Sequence, residues 1–214
     1  LAASEGHGAV VQVLLAAGAD AEARDFMQCT PLHVAAAHGQ EAVVQALLVA
    51  GADKEVRDDT QYTPLQIAAA HGQEAVVQEL LAAGANKEAR NNDQYTPLHL
   101  AALAEQETVV QVLLAAGADA EARDFMQCTP LHVAAAHGQE AVVQALLVAG
   151  ADKEVRDDKQ YTPLHIAAAH GQEAVVQELL AAGANKEARN NDQYTPLHLA
   201  ALAEQETVVQ VLLA

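Results

Sequence analysis

The chain of 214 residues has no Trp, and aromatic residues make up 3% of it, against a hydrophobic content of 51%. Ala, Leu and Val must therefore fill the interior, which suits short helices packed closely with small side chains between them. Basic residues are also scarce: 11 Lys and Arg face 29 Asp and Glu, for a formal charge of −18. A surface of that sign repels phosphate backbones, so neither nucleic acid nor an anionic membrane is an expected partner. A protein or peptide, basic or repetitive, is the partner that charge favours. No apolar run approaches the roughly 18 residues of a membrane-spanning helix, and no signal peptide is expected before the first repeat. Proline occurs six times and in one context only.

That context is the phrase Thr-Pro-Leu followed by His or Gln. It returns every 33 residues, at Thr30, Thr63, Thr96, Thr129, Thr162 and Thr195. Self-similarity at a period of this size means one small structural unit stacked on copies of itself. The residues 25–57 show how one unit should fold. Asp25 to Cys29 have turn formers and no helical period, and read as a loop tip. Thr30 stands as N-cap and Pro31 as first helical residue, where its missing N–H costs nothing. A helix from Pro31 to about His38 is ended by Gly39. A second, from about Gln40 to Ala50, places Val43, Val44, Leu47 and Leu48 on one buried face. Gly51 ends it, and Ala52 to Arg57 form a return loop. Helices this short are marginal alone in water, so each must lean on its neighbour.

The run Thr30-Pro31-Leu32-His33-Val34-Ala35-Ala36, then Val43-Val44, Leu47-Leu48 and Gly51-Ala52-Asp53, resembles the ankyrin repeat. The resemblance covers the chain as one array: full repeats at 25–57, 58–90, 91–123, 124–156 and 157–189, with partial ones at 1–24 and 190–214. It implies an all-α ankyrin-repeat solenoid of helix–turn–helix units with projecting finger loops. It also implies a non-catalytic scaffold whose partner docks in the groove between fingers and first helices. Two departures stand out. The finger usually carries Gly where this chain has Gln28, Gln61, Gln94, Gln127, Gln160 and Gln193, so a different local finger shape is expected. Repeat 91–123 also has Leu103-Ala104-Glu105-Gln106 where its neighbours have Gly between the helices, and the last repeat does the same.

A longer repeat of 99 residues overlies the first. Residues 1–115 and 100–214 differ only over Ser4 to Ala9, at Thr60 against Lys159, and at Gln66 against His165. Both isolated exchanges need one nucleotide change, as drift after duplication would produce. Leu1 begins inside a first helix and Ala214 stops inside a second, and Val10, Val11, Leu14, Leu15, Leu212 and Leu213 look like ordinary core. A segment of a longer array is the simplest reading. End-to-end stacking into a filament or spacer is the alternative function.

The candidate chemistry is sparse. His33, His99, His132, His165 and His198 belong to the Thr-Pro-Leu-His phrase and read as hydrogen-bonding elements of structure, since Gln66 substitutes in one repeat. His38, His71, His137 and His170 could cap the ends of first helices and line the groove. They are too far apart to share a zinc ion, and no cofactor is expected. Cys29 and Cys128 lie three repeats apart, roughly 30 Å at about 10 Å per helical layer. A disulfide is excluded at that range, and free thiols suit a reducing, cytoplasmic compartment. With no base beside either thiol, no enzyme is expected.

The groove residues proposed for partner binding are Phe26, Met27, Cys29 and His38 in the first full repeat. Asp59, Thr60, Tyr62 and His71 follow, then Asn92, Asp93 and Tyr95. The duplication adds Phe125, Met126, Cys128 and His137, then Asp158, Lys159, Tyr161 and His170, then Asn191, Asp192 and Tyr194. Aromatic side chains on an exposed rim are frequent interface anchors; packing against neighbouring fingers is their plainer use. Arg24, Arg57, Arg90, Arg123, Arg156 and Arg189 run two residues behind Glu22, Glu55, Glu88, Glu121, Glu154 and Glu187. Ladders of opposite sign are expected to satisfy one another across repeats.

Overall fold

A computed structural model describes residues 2–214. Among these residues every regular element is helical, and the chain divides into two compact units, one running to Ala118 and the other from Asp119 to Ala214. The first unit holds α1 (Gly8–Ala16) and three helix pairs: α2 (Pro31–Ala37) with α3 (Glu41–Val49), α4 (Pro64–Ala70) with α5 (Glu74–Ala82), and α6 (Pro97–Leu103) with α7 (Glu107–Ala115). The second holds α8 (Pro130–His137) with α9 (Glu140–Val148), α10 (Pro163–Ala169) with α11 (Glu173–Ala181), and α12 (Pro196–Leu202) with α13 (Glu206–Leu213).

Within each unit, first helices pack on the next first helix and second helices on the next second helix. The interior is Leu and a pair of Ala from each of α2, α4, α6, α8 and α10 against paired Val and a Leu from each of α3, α5, α7, α9 and α11. Leu65, Leu98, Val109, Val110 and Leu113 are all fully buried, as are Leu131, Val142, Val143 and Leu146. Small side chains on the first helix let the layers approach closely. Burial of this kind, at about 25 cal/mol per Å² of apolar surface, is what holds seven- to nine-residue helices in place.

The start of every first helix is built alike. Thr30, Thr63, Thr96, Thr129, Thr162 and Thr195 are extended N-caps, each followed by Pro, and each forms a capping box with the residue three positions on. That residue is His, or Gln at position 66. The second helices α3, α5, α7, α9, α11 and α13 follow an N-cap Gln, as at Gln40, and carry an acidic residue in the first turn, as at Glu41, where the helix dipole favours it.

Between the two helices of a repeat, Gly39 takes φ of 67°. A Cβ there would also run into the Gln73 side chain, whose amide donates to Ala37 O at 3.2 Å. Glu105 and Glu204 occupy the corresponding turn with φ of 58° and 57°. The turn is therefore kept without Gly, at a conformational cost that L-residues ordinarily avoid.

Candidate functional site

Each finger is a tight hairpin closed by its first residue. Asp25 N–H donates to Cys29 O at 3.1 Å and Gln28 N–H donates back to Asp25 O at 3.0 Å. The Asp25 carboxylate then accepts from Met27 N–H and Cys29 N–H, both at 2.9 Å. Asp58, Asn91, Asp124, Asp157 and Asn190 repeat this clamp in their own fingers, and unlike Asp25 they are buried. These six residues were not among the sequence candidates. Their signal is the side-chain turn that Asp and Asn make with the backbone two residues on, and it is legible once each finger is aligned on its Thr-Pro.

The expected change of finger shape is not found. Gln28, Gln61, Gln94, Gln127, Gln160 and Gln193 all take positive φ, between 60° and 67°. A hairpin loop of this length closes through a left-handed residue whatever its identity, and the Asp or Asn clamp outweighs the steric penalty on Gln. Successive fingers are also joined through backbone: Asp59 N–H donates to Met27 O at 3.1 Å in the first unit, and Asp158 N–H to Met126 O at 3.1 Å in the second.

What the two charged ladders hold is backbone. Arg57 Nη1 donates to Gln61 O at 2.8 Å in its own finger and to Arg90 O at 2.7 Å in the next repeat. Arg156 does the same with Gln160 O and Arg189 O. Glu22 Oε1 accepts from Asp53 N–H at 2.8 Å, and Glu55, Glu121 and Glu154 accept from the N–H groups of Asn86, Asp152 and Asn185. A loop without regular secondary structure leaves its N–H and C=O groups in need of partners, and one Arg and one Glu per repeat supply them. Both ladders are structural.

The histidines of the capping phrase bridge repeats. Thr30 N–H donates to His33 Nδ1 at 3.1 Å, so Nδ1 carries the lone pair and Nε2–H is the donor, toward Tyr62 O of the next repeat at 3.1 Å. His132 to Tyr161 O and His165 to Tyr194 O repeat the bridge. Gln66 performs it with an amide: Oε1 accepts from Thr63 N–H at 2.9 Å while Nε2 donates to Tyr95 O and Ala89 O. Burial pushes the His33, His132 and His165 imidazoles below their ordinary pKa. The second histidine series, at His38, His71, His137 and His170, lies exposed at the ends of first helices. Each Nδ1 caps its own helix through the carbonyl four residues back, 2.9 Å away. Among the described residues no group of three His, Cys, Asp or Glu side chains could hold a metal ion.

Burial and the carboxylates of Asp25, Asp58 and Asp59 push the Cys29 thiol up to about 11. Burial, with Asp124, Asp157 and Asp158, takes Cys128 to about 12. Both stay protonated at neutral pH, which suits structure and not nucleophilic attack.

The structure separates the aromatic candidates into two kinds. Phe26 is 91% exposed and Phe125 64%, with Met27 and Met126 exposed beside them. Tyr62, Tyr95 and Tyr161 are half-buried and Tyr194 is exposed. Three of these rings pack on the capping histidine of their own repeat, with centroids 5.5 Å apart for Tyr95 and His99 and 5.8 Å for Tyr161 and His165. Tyr194 packs similarly on His198. Asp59, Thr60, Asn92 and Asp93 are exposed on the first unit's fingers, and Asp158, Lys159, Asn191 and Asp192 on the second's. The finger segments 25–29, 58–62 and 91–95 contain no cation, whereas 157–161 contains Lys159. Outside the fingers, Val11 and Leu212 are buried, whereas Leu213 is exposed, as are Val10 and Leu14, whose counterparts Val43 and Leu47 one repeat on are buried. No described helix is long and apolar enough to cross a membrane.

The family model for ankyrin repeats (3 copies) matches residues 1–58, 43–124, 75–157 and 131–214. A search of curated proteins returns no match. Among solved structures, the human ASB11 ankyrin repeat domain superposes with a TM-score of 0.89 at 30% identity, over 99% of this chain and 94% of that one.

Proposed function

Because this chain belongs to the ankyrin-repeat family, an all-α solenoid fold whose arrays are protein-interaction scaffolds, we propose that it binds a protein or peptide through its finger tips and the adjoining ends of its first helices. The observation that carries this reading is the exposure of Phe26 on a finger whose backbone is already clamped by Asp25 and tied to the next finger. A large apolar ring held out on preorganised backbone costs little ordering on binding and offers a contact of the kind that anchors interfaces. The half-buried Tyr side chains serve chiefly to pack the fingers on their own helices, and the polar tips set the partner's register. With Asp59 and Asp93 exposed and no cation in the first unit's finger segments, a basic segment fits that unit better than an acidic one.

The test is a binding comparison from one extract with the parent chain, the pair Phe26→Ala and Phe125→Ala, and a control pair Val49→Ala and Val148→Ala on second helices. A partner lost with the Phe pair and kept with the Val pair supports the reading. A partner indifferent to the Phe pair would overturn it. Light scattering at rising concentration tests the competing idea, since growth in mass would favour self-association.

A further inference from the structure

The bridge between one repeat's capping box and the next repeat's finger is made by two chemically different side chains. At position 66 it is an amide and at position 165, its counterpart in the duplication, an imidazole. Both are fully buried. The amide donates permanently from Nε2, to Tyr95 O at 2.8 Å and Ala89 O at 3.1 Å, and accepts permanently at Oε1. The imidazole accepts Thr162 N–H at Nδ1 at 3.2 Å and donates from Nε2 to Tyr194 O at 3.1 Å. That pattern requires the neutral ring.

We infer that His165 makes the junction between repeats 157–189 and 190–214 an acid-released catch, and that Gln66 makes the equivalent junction of the first unit insensitive to acid. The reason is where a proton can go. Nε2 already carries one and donates it, so protonation occurs at Nδ1 and sets N–H against the Thr162 N–H. The cap then loses an acceptor, and a buried backbone donor without a partner is costly. The groups facing the ring are Arg156 and Asp157 at the foot of its own finger, the Tyr161 ring, the Thr162 hydroxyl at 2.8 Å, and the carbonyls of Tyr194 and Ala188 from the next repeat. Arg156 opposes a proton and Asp157 favours one. Burial is the largest influence and lowers the ring's pKa from the ordinary 6.5.

The sign follows from linkage. Above about pH 6.5 the ring is neutral whether the junction is closed or open. Below it, the open form takes up a proton that the closed form resists, so closure weakens as pH falls until the closed form's own lower pKa is reached. An open-state pKa of 6.5 gives about a tenfold rise in opening between pH 7.5 and pH 5.5 if the closed ring stays neutral.

Because the His33 and His132 bridges end on Tyr62 O and Tyr161 O, just before these caps, amide exchange of Thr63 and Thr162 is read in the full chain carrying His33→Gln and His132→Gln, corrected for intrinsic exchange rates. Opening at Thr162 should rise about tenfold over that interval, by the same linkage, while opening at Thr63 stays level. His165→Gln, which copies an environment the chain already houses at position 66, should remove the rise at Thr162. Gln66→His should create one at Thr63. Acid-driven opening that survives His165→Gln would overturn the inference, as would a His165 ring titrating at or above 6.5 in the folded chain.

Discussion

Phe26 and Leu32 lie in one repeat and within one short stretch of sequence, yet Phe26 is 91% exposed and Leu32 is fully buried. The finger and the first helix differ in what fixes their backbone. Leu32, Ala35 and Ala36 hold their helix by burial against the next layer, so each side chain there is spoken for. The finger is fixed by hydrogen bonds of its own: the Asp25 clamp, the left-handed Gln28 and the link from Asp59 N–H to Met27 O. Phe26 at its tip, 91% exposed, has no structural duty to discharge. A repeat can therefore change an exposed tip such as Phe26 at little cost, whereas a buried helix position changes only where its contacts are conserved. The exchange of Thr60 for Lys159 lies on a tip, whereas the buried exchange of Gln66 for His165 conserves the bridge it makes.

This contrast can be attacked from both sides. Leu98→Ala removes a fully buried side chain and should cost about 2–5 kcal/mol, read as a large fall in the denaturation midpoint and loss of helical signal in the first unit. At the finger turns, Gln94→Gly relieves a residue held at φ of 63°. The left-handed conformation costs an L-residue about 1–2 kcal/mol. Glycine's greater freedom when unfolded takes back part of that, so a rise in midpoint worth about 1 kcal/mol is expected. A fall would mean that the Gln side chain itself holds the finger. Smallest of all should be Phe26→Ala. It is expected to leave stability within about 0.5 kcal/mol of the parent, and a larger loss in the urea midpoint would show that the ring packs after all and is no free contact.

Much of the helical frame is legible in the sequence. The expected helix from Pro31 to about His38 is found at Pro31–Ala37, and the one from about Gln40 to Ala50 at Glu41–Val49. Caps and terminators are local, and Thr, Pro and Gly act within a turn of where they stand. The role of the capping histidines was legible too, because Gln66 in their place excludes a ligand and admits a hydrogen bond. The finger clamps went unnoticed because Asp and Asn are common and exposed in most loops, and only alignment on the Thr-Pro shows that they recur. The backbone role of the charged ladders is hidden for another reason. Arg57 and Glu55 are of opposite sign and near in sequence, but the unsatisfied backbone of the next return loop is a better partner for each than they are for one another.

What the order of residues determined by itself was the period, the place of each helix and the face each helix buries, because these rest on caps and on apolar spacing that any isolated repeat already contains. What the tertiary structure alone decided was the fate of side chains that reach from one repeat to the next: Arg156 on Arg189 O, Glu121 on Asp152 N–H, His165 on Tyr194 O, and Phe125 on nothing that buries it. Those outcomes depend on the distance and angle between layers, which close packing of Ala and Leu sets and no single repeat encodes.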